Sequence, residues 1–333
     1  MEYRNLGNSG LKVSVICLGA MTFTEKGWRS AGKMPFSEIQ KVVDYALDKG
    51  VNFFDTADIY AFGESEELLG KALGNKKNDV IVATKVRGPM SEDPNDRGLS
   101  RHHIFKSIDV SLKRLGRDYI DLYQVHWWDN HTPIEETLEA LNDLIRIGKV
   151  RYIGISDFAG WQITKSVMLQ EKNNWSKFIS AQMYYSLLGR DIEFEVVPAC
   201  KDLGLGILPW SPLAGGFLTG KYTKENIPED SRYARMERPF LRFDFEKAYF
   251  LIDEMKKIAE KYNASVSQVA LNWLKAKSFV SSIIIGVRNL KQLEDNLGCV
   301  EWDLSQEDVE YLDEITAPEK PYPQWFLDIF ADL

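Results

Sequence analysis

Along this chain, short apolar runs alternate with longer segments in which apolar residues recur every three or four positions. The runs lie at 13–19, 51–56, 80–86, 119–126, 150–156, 178–184, 206–209 and 282–287. Between them, stretches such as 37–49, 100–115, 134–147 and 248–262 are charged and amphipathic, with Leu138, Leu141, Leu144 and Ile145 at helical spacing. Ser37 and Ser100 read as helix N-caps, and Gly50 and Gly148 as stops before the next strand. The runs are continuously apolar rather than alternating, as expected of strands covered on both faces in a parallel sheet. Strand–helix pairs repeated eight times along one chain predict an α/β fold, a (β/α)8 TIM barrel of parallel strands. An open doubly wound sheet is the competing architecture, and it commonly uses fewer strands.

No Pro- or Ser-rich linker divides the chain, so residues 1–333 read as a single barrel domain. The longest irregular piece, 213–245, is rich in Gly, Pro and Arg and follows the seventh strand. A loop of that length in a compact domain is commonly functional or disordered. It would lie at the barrel's C-terminal rim, where such folds place their active sites. An extra C-terminal segment, polar from Glu319, ends aromatically in PYPQWFLDIF.

Composition narrows the classes. A net charge of −8 argues against a nucleic-acid or anionic-membrane surface. The three cysteines are far apart and form no CxxC, which fits a reducing compartment without a disulfide framework. The N-terminal stretch has no apolar signal core, and no segment is apolar enough to span a bilayer, so a cytoplasmic protein without a membrane partner is expected. No His, Cys and carboxylate spacing resembles a metal site. "GGFLTGKY" lacks the final Ser or Thr of a phosphate-binding P-loop, and His102 and His103 read as solvated residues at a helix start.

Placed on a barrel, four ionisable side chains stand out. Asp55 ends the second strand, Tyr60 lies in the loop after it, Lys85 ends the third strand in VIVATKV, and His126 ends the fourth in DLYQVHWW. A barrel brings these neighbouring strand ends over one opening. A phenol, with a pKa of about 10, is a poor proton donor at neutral pH. An ammonium such as Lys85 stabilises phenolate and would lower that value. Asp55 would pair with Lys85 and keep it charged, and His126 could donate a hydrogen bond to a carbonyl oxygen. The set suits negative charge developing on a carbonyl oxygen. A buried Lys–Asp pair beside a satisfied Tyr and His is the purely structural alternative.

These residues sit in longer motifs. "NFFDTADIYAFGESEELLG", "VIVATK", "YIDLYQVHW", "VRYIGIS", "QMYYSLLGR", "PWSPLAGGFLTGKY" and "IIIGVRNLKQLEDNLG" resemble, in order and over nearly the whole chain, those of the aldo-keto reductase family. The resemblance implies a (β/α)8 barrel with NADP(H) extended across its C-terminal face, and a catalytic tetrad of Asp55, Tyr60, Lys85 and His126. Asp58 falls outside that tetrad and is expected to make a loop or cap contact. By the same resemblance Gly19, Met21, Thr22 and Asp55 lie beside the cofactor, and Ser156 and Gln182 hydrogen-bond the nicotinamide carboxamide. Trp210 would stack on the nicotinamide, Ser211, Leu213, Gly215 and Lys221 would surround the pyrophosphate, and Arg232 would cover it as a lid. Gly286, Arg288, Gln292, Asp295 and Asn296 belong to the helix start after strand eight, where N–H groups favour phosphate and Arg288 suits a 2′-phosphate.

The chain departs from the family at GISD, where Asp157 replaces the usual Asn. Trp28 and Trp127, in an aromatic-rich rim, are candidates for the wall of a substrate pocket. The implied activity is reversible, NADPH-dependent reduction of aldehydes or ketones to alcohols, with a small carbonyl or alcohol as the partner. The alternative implied by the same resemblance is a cofactor-sensing regulatory subunit like the potassium-channel β subunits.

Overall fold

The structure is a computed structural model and describes residues 1–224 and 241–331. A short antiparallel hairpin, β1 (Tyr3–Asn5) and β2 (Lys12–Ser14), comes first. Eight parallel strands follow: β3 (Ile16–Gly19), β4 (Phe53–Asp55), β5 (Ile81–Val86), β6 (Ile120–Val125), β7 (Val150–Ser156), β8 (Phe178–Tyr184), β9 (Gly206–Trp210) and β10 (Ile283–Gly286). They lie side by side in the order β10-β3-β4-β5-β6-β7-β8-β9. A parallel bridge between Ile207 and Val280 joins β9 to the lead-in of β10. Ile207 N donates to Phe279 O at 3.0 Å, and Ser281 N donates to Ile207 O at 2.9 Å. The expected (β/α)8 barrel is therefore the observed fold.

Six helices alternate with the strands: α1 (Phe36–Asp48), α2 (Glu64–Leu73), α3 (Arg101–Leu115), α4 (Ile134–Arg146), α5 (Gly160–Lys172) and α6 (Val196–Leu203). After β9 come α7 (Phe245–Tyr262) and α8 (Val266–Lys275), and after β10 come α9 (Leu290–Leu297), α10 (Gln306–Ile315) and the short α11 (Gln324–Asp328). The helices α1 to α10 each bury an apolar face, as α4 does with Leu138, Leu141 and Leu144, whereas α11 buries no side chain. Among the described residues no helix is long and apolar enough to cross a membrane.

Several local expectations change. The run at 13–19 is two strands, broken at Val15 where the chain leaves the hairpin and enters the barrel. The polar YRN of β1 hides the hairpin from a hydrophobicity reading. Ser100 caps α3 as expected, accepting from His103 N at 3.2 Å. Ser37 does not cap α1: the helix begins at Phe36, whose N–H donates to Glu25 Oε1 at 3.0 Å from the preceding loop. His103 is fully buried rather than solvated, because α3 turns it inward beside Asp96 and Ser107.

The hairpin positions the site by closing the opposite end of the barrel. Gly7, at φ +56°, turns the chain so tightly that a Cβ there would lie 2.4 Å from Ile179 O and 2.6 Å from Gly204 O. Leu6 and Val13 then join Cys17, Phe53, Ala83, Leu122, Leu208 and Ile284 in one buried apolar cluster. Strand side chains alternate between faces. Two residues further along those same strands stand Gly19, Asp55, Lys85, Gln124, Trp210 and Gly286. One step of the pleat thus leads from a dry plug to the polar floor of the C-terminal mouth.

The helical layer is packed closely enough to test. A Cβ on Gly70 of α2 would lie 2.7 Å from Leu115 O and 2.8 Å from Leu115 Cα, backbone atoms at the end of α3 that no rotamer change can move. Alanine gains helix propensity but overpacks this contact, so Gly70→Ala is expected to lose on the order of 2 kcal/mol net. A lower thermal midpoint by circular dichroism checks it; an unchanged midpoint would mean the helices separate freely.

Candidate active site

Asp55, fully enclosed at the end of β4, is the hub of the barrel floor. Lys85 Nζ donates to its Oδ1 at 2.5 Å. Gln124 Nε2 and Gln182 Nε2 donate to its Oδ2 at 3.0 Å and 2.9 Å. Four strands, β4, β5, β6 and β8, thereby share one carboxylate. Lys85 is itself fully buried, and its ammonium also donates to Thr56 O at 2.8 Å and to Tyr60 OH at 3.3 Å. Three donors meet three acceptors, so the buried cation is satisfied. Burial alone would pull the Lys85 pKa down, but the charge and hydrogen bonds of Asp55 and Tyr60 together outweigh it and hold the ammonium charged.

Tyr60 reaches this floor from the loop after β4. Asp58 N donates to Lys85 O at 3.2 Å, which ties the loop to β5. Ala61 and Phe62 follow with φ of +49° and +54°, a left-handed pair that non-glycine residues adopt at a cost. The pair turns the chain into α2 while leaving the Tyr60 hydroxyl beside Lys85. The expected lowering of the phenol pKa is corrected here: burial pushes the Tyr60 hydroxyl above its usual range, and Lys85 offsets only part of that. Tyr60 is held as a neutral donor.

His126 follows β6, its N–H donating to Val86 O at 3.1 Å. Its ring lies 5.6 Å from that of Tyr60, edge-on at 80°. Burial, together with the cations Lys85, Arg29 and Arg87, depresses its pKa far below the usual range, so the imidazole is neutral. Its Nδ1 is buried with no hydrogen-bond partner among the described residues. Trp28 stands 5.5 Å from the Tyr60 ring, and Trp127 stands 4.7 Å from His126. The structure thus brings together the four residues expected to carry chemistry and both tryptophans of the expected wall.

Asp58 is not the loop or cap contact expected of it. It is buried, and both carboxylate oxygens lack a hydrogen-bond partner among the described residues. Burial, with Glu66 nearby, raises its pKa well above the carboxylate range. Gln124 is a further member of the floor that no motif of the sequence singles out. Its signal was a lone amide inside an apolar strand, at the barrel-facing phase shared with Leu122.

A second set of residues forms an arc beside this floor. Gly19 and Gly286 are paired across β3 and β10. A Cβ at Gly286 would meet nothing within 4 Å, whereas one at Gly19 would lie 2.9 Å from Ile284 Cγ2, so the rim is open at Gly286 and closely packed at Gly19. Thr22, next to Met21, donates to Val287 O at 2.7 Å and ties the two rim loops together. Beyond β9, Ser211, Ala214, Gly215 and Gly216 all have positive φ, from +48° to +97°, with Leu213 between them and Lys221 exposed further on. Left-handed non-glycine residues at two of these positions mark a backbone shaped for something other than regular structure. Arg232 lies outside the described residues.

Trp210 points its indole Nε1 at Asp157 Oδ1, 3.0 Å away, and Ser156 Oγ donates to Asp157 Oδ2 at 3.2 Å. Asp157 itself sits at φ +52°. Its side chain is exposed in the mouth, yet the protein surrounding the carboxylate desolvates it enough to raise its pKa to about 6, against the pull of Trp210, Ser156 and Lys85. Gln182 directs its amide N–H groups to Asp55 and Gln124.

At α9 the first amides already have side-chain acceptors. Leu290 N donates to Glu38 Oε1 at 2.8 Å, Gln292 N to Asn289 Oδ1 at 3.0 Å, and Arg288 N to Gln292 Oε1 at 2.9 Å. Asp295 accepts from Ser265 at 3.0 Å and so faces α8, and Asn296 is buried. Fewer amides are thus left for a phosphate at this rim, which increases the share that the Arg288 side chain would carry.

The aldo/keto reductase family's sequence profile matches residues 15–317. A Bacillus subtilis protein named as an uncharacterized oxidoreductase is 41% identical over 95% of this chain and 96% of its own. A Schizosaccharomyces pombe protein, whose name assigns it provisionally to the aryl-alcohol dehydrogenases, is 36% identical over 95% of this chain and 96% of its own. An Arabidopsis thaliana protein named as a probable voltage-gated potassium channel subunit beta is 37% identical over 90% of this chain and 92% of its own. Barrel, sequence profile and full-length relatives agree: the chain belongs to the aldo/keto reductase family of oxidoreductases.

Proposed function

We propose that this protein is an NADPH-dependent carbonyl reductase that converts aldehydes or ketones to alcohols, and the reverse, with Tyr60 as the proton donor. The observation that carries the reading is the Lys85 ammonium, bound to Asp55 at 2.5 Å and touching Tyr60 OH at 3.3 Å under an open mouth. A purely structural ion pair has no reason to end on a phenol beside a neutral, edge-on histidine.

The residues divide the work as follows. Tyr60, neutral in the resting site, donates its proton to the carbonyl oxygen as that oxygen gains charge. The Lys85 ammonium stabilises the phenolate left behind, and Asp55 keeps the ammonium in place. Neutral His126 donates a hydrogen bond that orients the carbonyl. Gln124 and Gln182 hold Asp55 from two further strands, so the floor needs little rearrangement during the reaction.

The arc of glycines, left-handed backbone and Trp210 suits an extended dinucleotide, and the family generally uses nicotinamide cofactors. When bound, the reduced nicotinamide supplies the hydride that reaches the carbonyl carbon. Gly286 would leave room for its passage over the rim beside Gly19; Met21, Thr22, Ser156 and Trp210 would hold the nicotinamide end, and Ser211, Leu213, Gly215 and Lys221 the pyrophosphate. Arg288 would read a 2′-phosphate. A substrate panel run with NADPH and with NADH tests the reading. Because a charge-assisted contact contributes about 1.5–3 kcal/mol, NADPH is expected to be favoured by at least about tenfold in kcat/KM. No turnover of any aldehyde with either cofactor would contradict the assignment.

Asp157 gives this reading a pH dependence of known sign. With a pKa of about 6, it is a carboxylate at about pH 8 and largely protonated at about pH 5. A carboxylate beside the nicotinamide favours the oxidised ring, which is positive, over the neutral reduced ring. One such contact in a wet mouth is worth about 1 kcal/mol. Asp157→Asn keeps an acceptor for the Trp210 indole and removes the charge. It should weaken NADP+ relative to NADPH by about fivefold at the higher pH and change nothing at the lower. Fluorescence titration at both pH values checks this, and an equal change at both would contradict it.

A second reading, a regulatory subunit, is favoured by the relative named as a potassium channel subunit beta. Tight dinucleotide binding with negligible turnover, together with a stable membrane-protein partner, would support it over the enzyme.

A further inference from the structure

Arg87 is not used by the chemistry above, yet it stands at the same mouth. It lies two residues beyond Lys85, just past the end of β5. Its guanidinium carbon is 4.6 Å from the centre of the Trp127 ring, which in turn packs on His126. Its Nε is buried and has no hydrogen-bond partner among the described residues. The nearby acid, Asp129, is 4.0 Å from Nη2, beyond hydrogen-bond range. Asp129 is committed elsewhere: its Oδ2 accepts from Leu99 N and Thr132 Oγ1, both at 2.8 Å, and its Oδ1 accepts from His131 N at 3.0 Å. The Arg87 backbone sits at φ +147°, a region non-glycine residues avoid, which points to a residue held where local preference would not put it.

Across the mouth the pattern repeats. Arg29 lies 4.6 Å from the centre of the Trp28 ring, and Trp28 packs on Tyr60. Each aromatic wall next to a reacting side chain is therefore backed by a guanidinium, in a chain whose net charge is −8. A buried, unmatched N–H calls for an explanation in a native structure. A guanidinium fork stacked on an aromatic face is suited to a carboxylate that approaches along that face.

We infer that Arg87 is a specificity-determining residue that binds an anionic group, a carboxylate, on the substrate, and that the preferred substrates are aromatic carbonyl compounds bearing such a group. The inference rests on the carbonyl-reductase reading. Trp127 supplies the stacking surface, and the quarter-exposed end of the Arg87 guanidinium, not hydrogen-bonded to Asp129, receives the carboxylate. Arg29 adds to the positive potential from the opposite wall.

The test compares terephthalaldehydic acid with its methyl ester, a neutral aldehyde of nearly the same shape. In the wild type the acid is expected to have the higher kcat/KM. In Arg87→Met the acid-to-ester ratio should fall at least about tenfold, with the loss carried by the KM of the acid, as for one charge-assisted hydrogen bond. Arg87→Lys should give an intermediate ratio and carries the comparison should the methionine variant lack the wild-type circular dichroism spectrum. A ratio equal in wild type and variant overturns the role of Arg87 while leaving the reductase intact. A wild type that reduces neither aldehyde with NADPH or NADH overturns the reductase reading, and this inference with it.

Discussion

Tyr60→Phe is expected to lower kcat for carbonyl reduction by about a hundred- to ten-thousand-fold, the usual worth of a positioned proton donor. Nicotinamide dinucleotide affinity should stay within a few-fold of wild type, because the ring contacts of Tyr60 with Trp28 and His126 survive in phenylalanine. Lys85 loses one of three acceptors but keeps Asp55 and Thr56 O, so the variant should fold. The split is the informative feature: chemistry lost, binding and thermal midpoint kept. Wild-type kcat in Tyr60→Phe would leave Lys85, Asp55 and His126 without the group they are arranged around.

Lys85→Met should do damage of two kinds. Activity falls at least as far as in Tyr60→Phe, because the phenolate loses its counter-charge. Stability falls too, since Asp55 becomes a buried carboxylate without its cation, and removing one partner of a buried pair costs about 3–5 kcal/mol. Gln124 and Gln182 still donate to Asp55, which places the expected loss toward the lower end of that range. The double variant Lys85→Met with Asp55→Asn removes the stranded charge. It should recover part of the thermal midpoint and none of the activity, a non-additivity expected of residues in contact. Denaturant unfolding of the singles and the double measures it. Additive losses would mean that Asp55 and Lys85 are not energetically coupled.

Much of this is legible in the sequence. The (β/α)8 frame was visible because buried parallel strands read as unbroken apolar runs, and β7 and β8 fall where those runs place them. Asp55, Lys85 and His126 stood out because each is polar at the end of such a run. What escaped reading depended on direction rather than on composition. Gln124 lies inside its strand, and only the period-two phase shared with Leu122 turns it onto Asp55. The hairpin at Tyr3–Ser14 escaped because its first strand is polar and too short to show alternation. Local sequence places His103 in solvent and Asp58 in a loop contact, and long-range packing buries both. Lys85, the neighbour visible in the sequence, would by itself lower the Tyr60 pKa. Burial, which no local pattern reveals, sets its direction instead. The α9 amides looked open in sequence, and Glu38, distant in the chain, takes one of them.

The central claim is that the Asp55–Lys85–Tyr60–His126 floor serves hydride addition to a substrate carbonyl. The direct test is to supply NADPH carrying deuterium at both hydrogens of nicotinamide C4, with the methyl ester of terephthalaldehydic acid as substrate, and to analyse the alcohol by mass spectrometry. The account predicts an alcohol with a single deuterium on the former carbonyl carbon, formed by wild type and suppressed in Tyr60→Phe. Alcohol without deuterium, or no alcohol from the wild type, would contradict it.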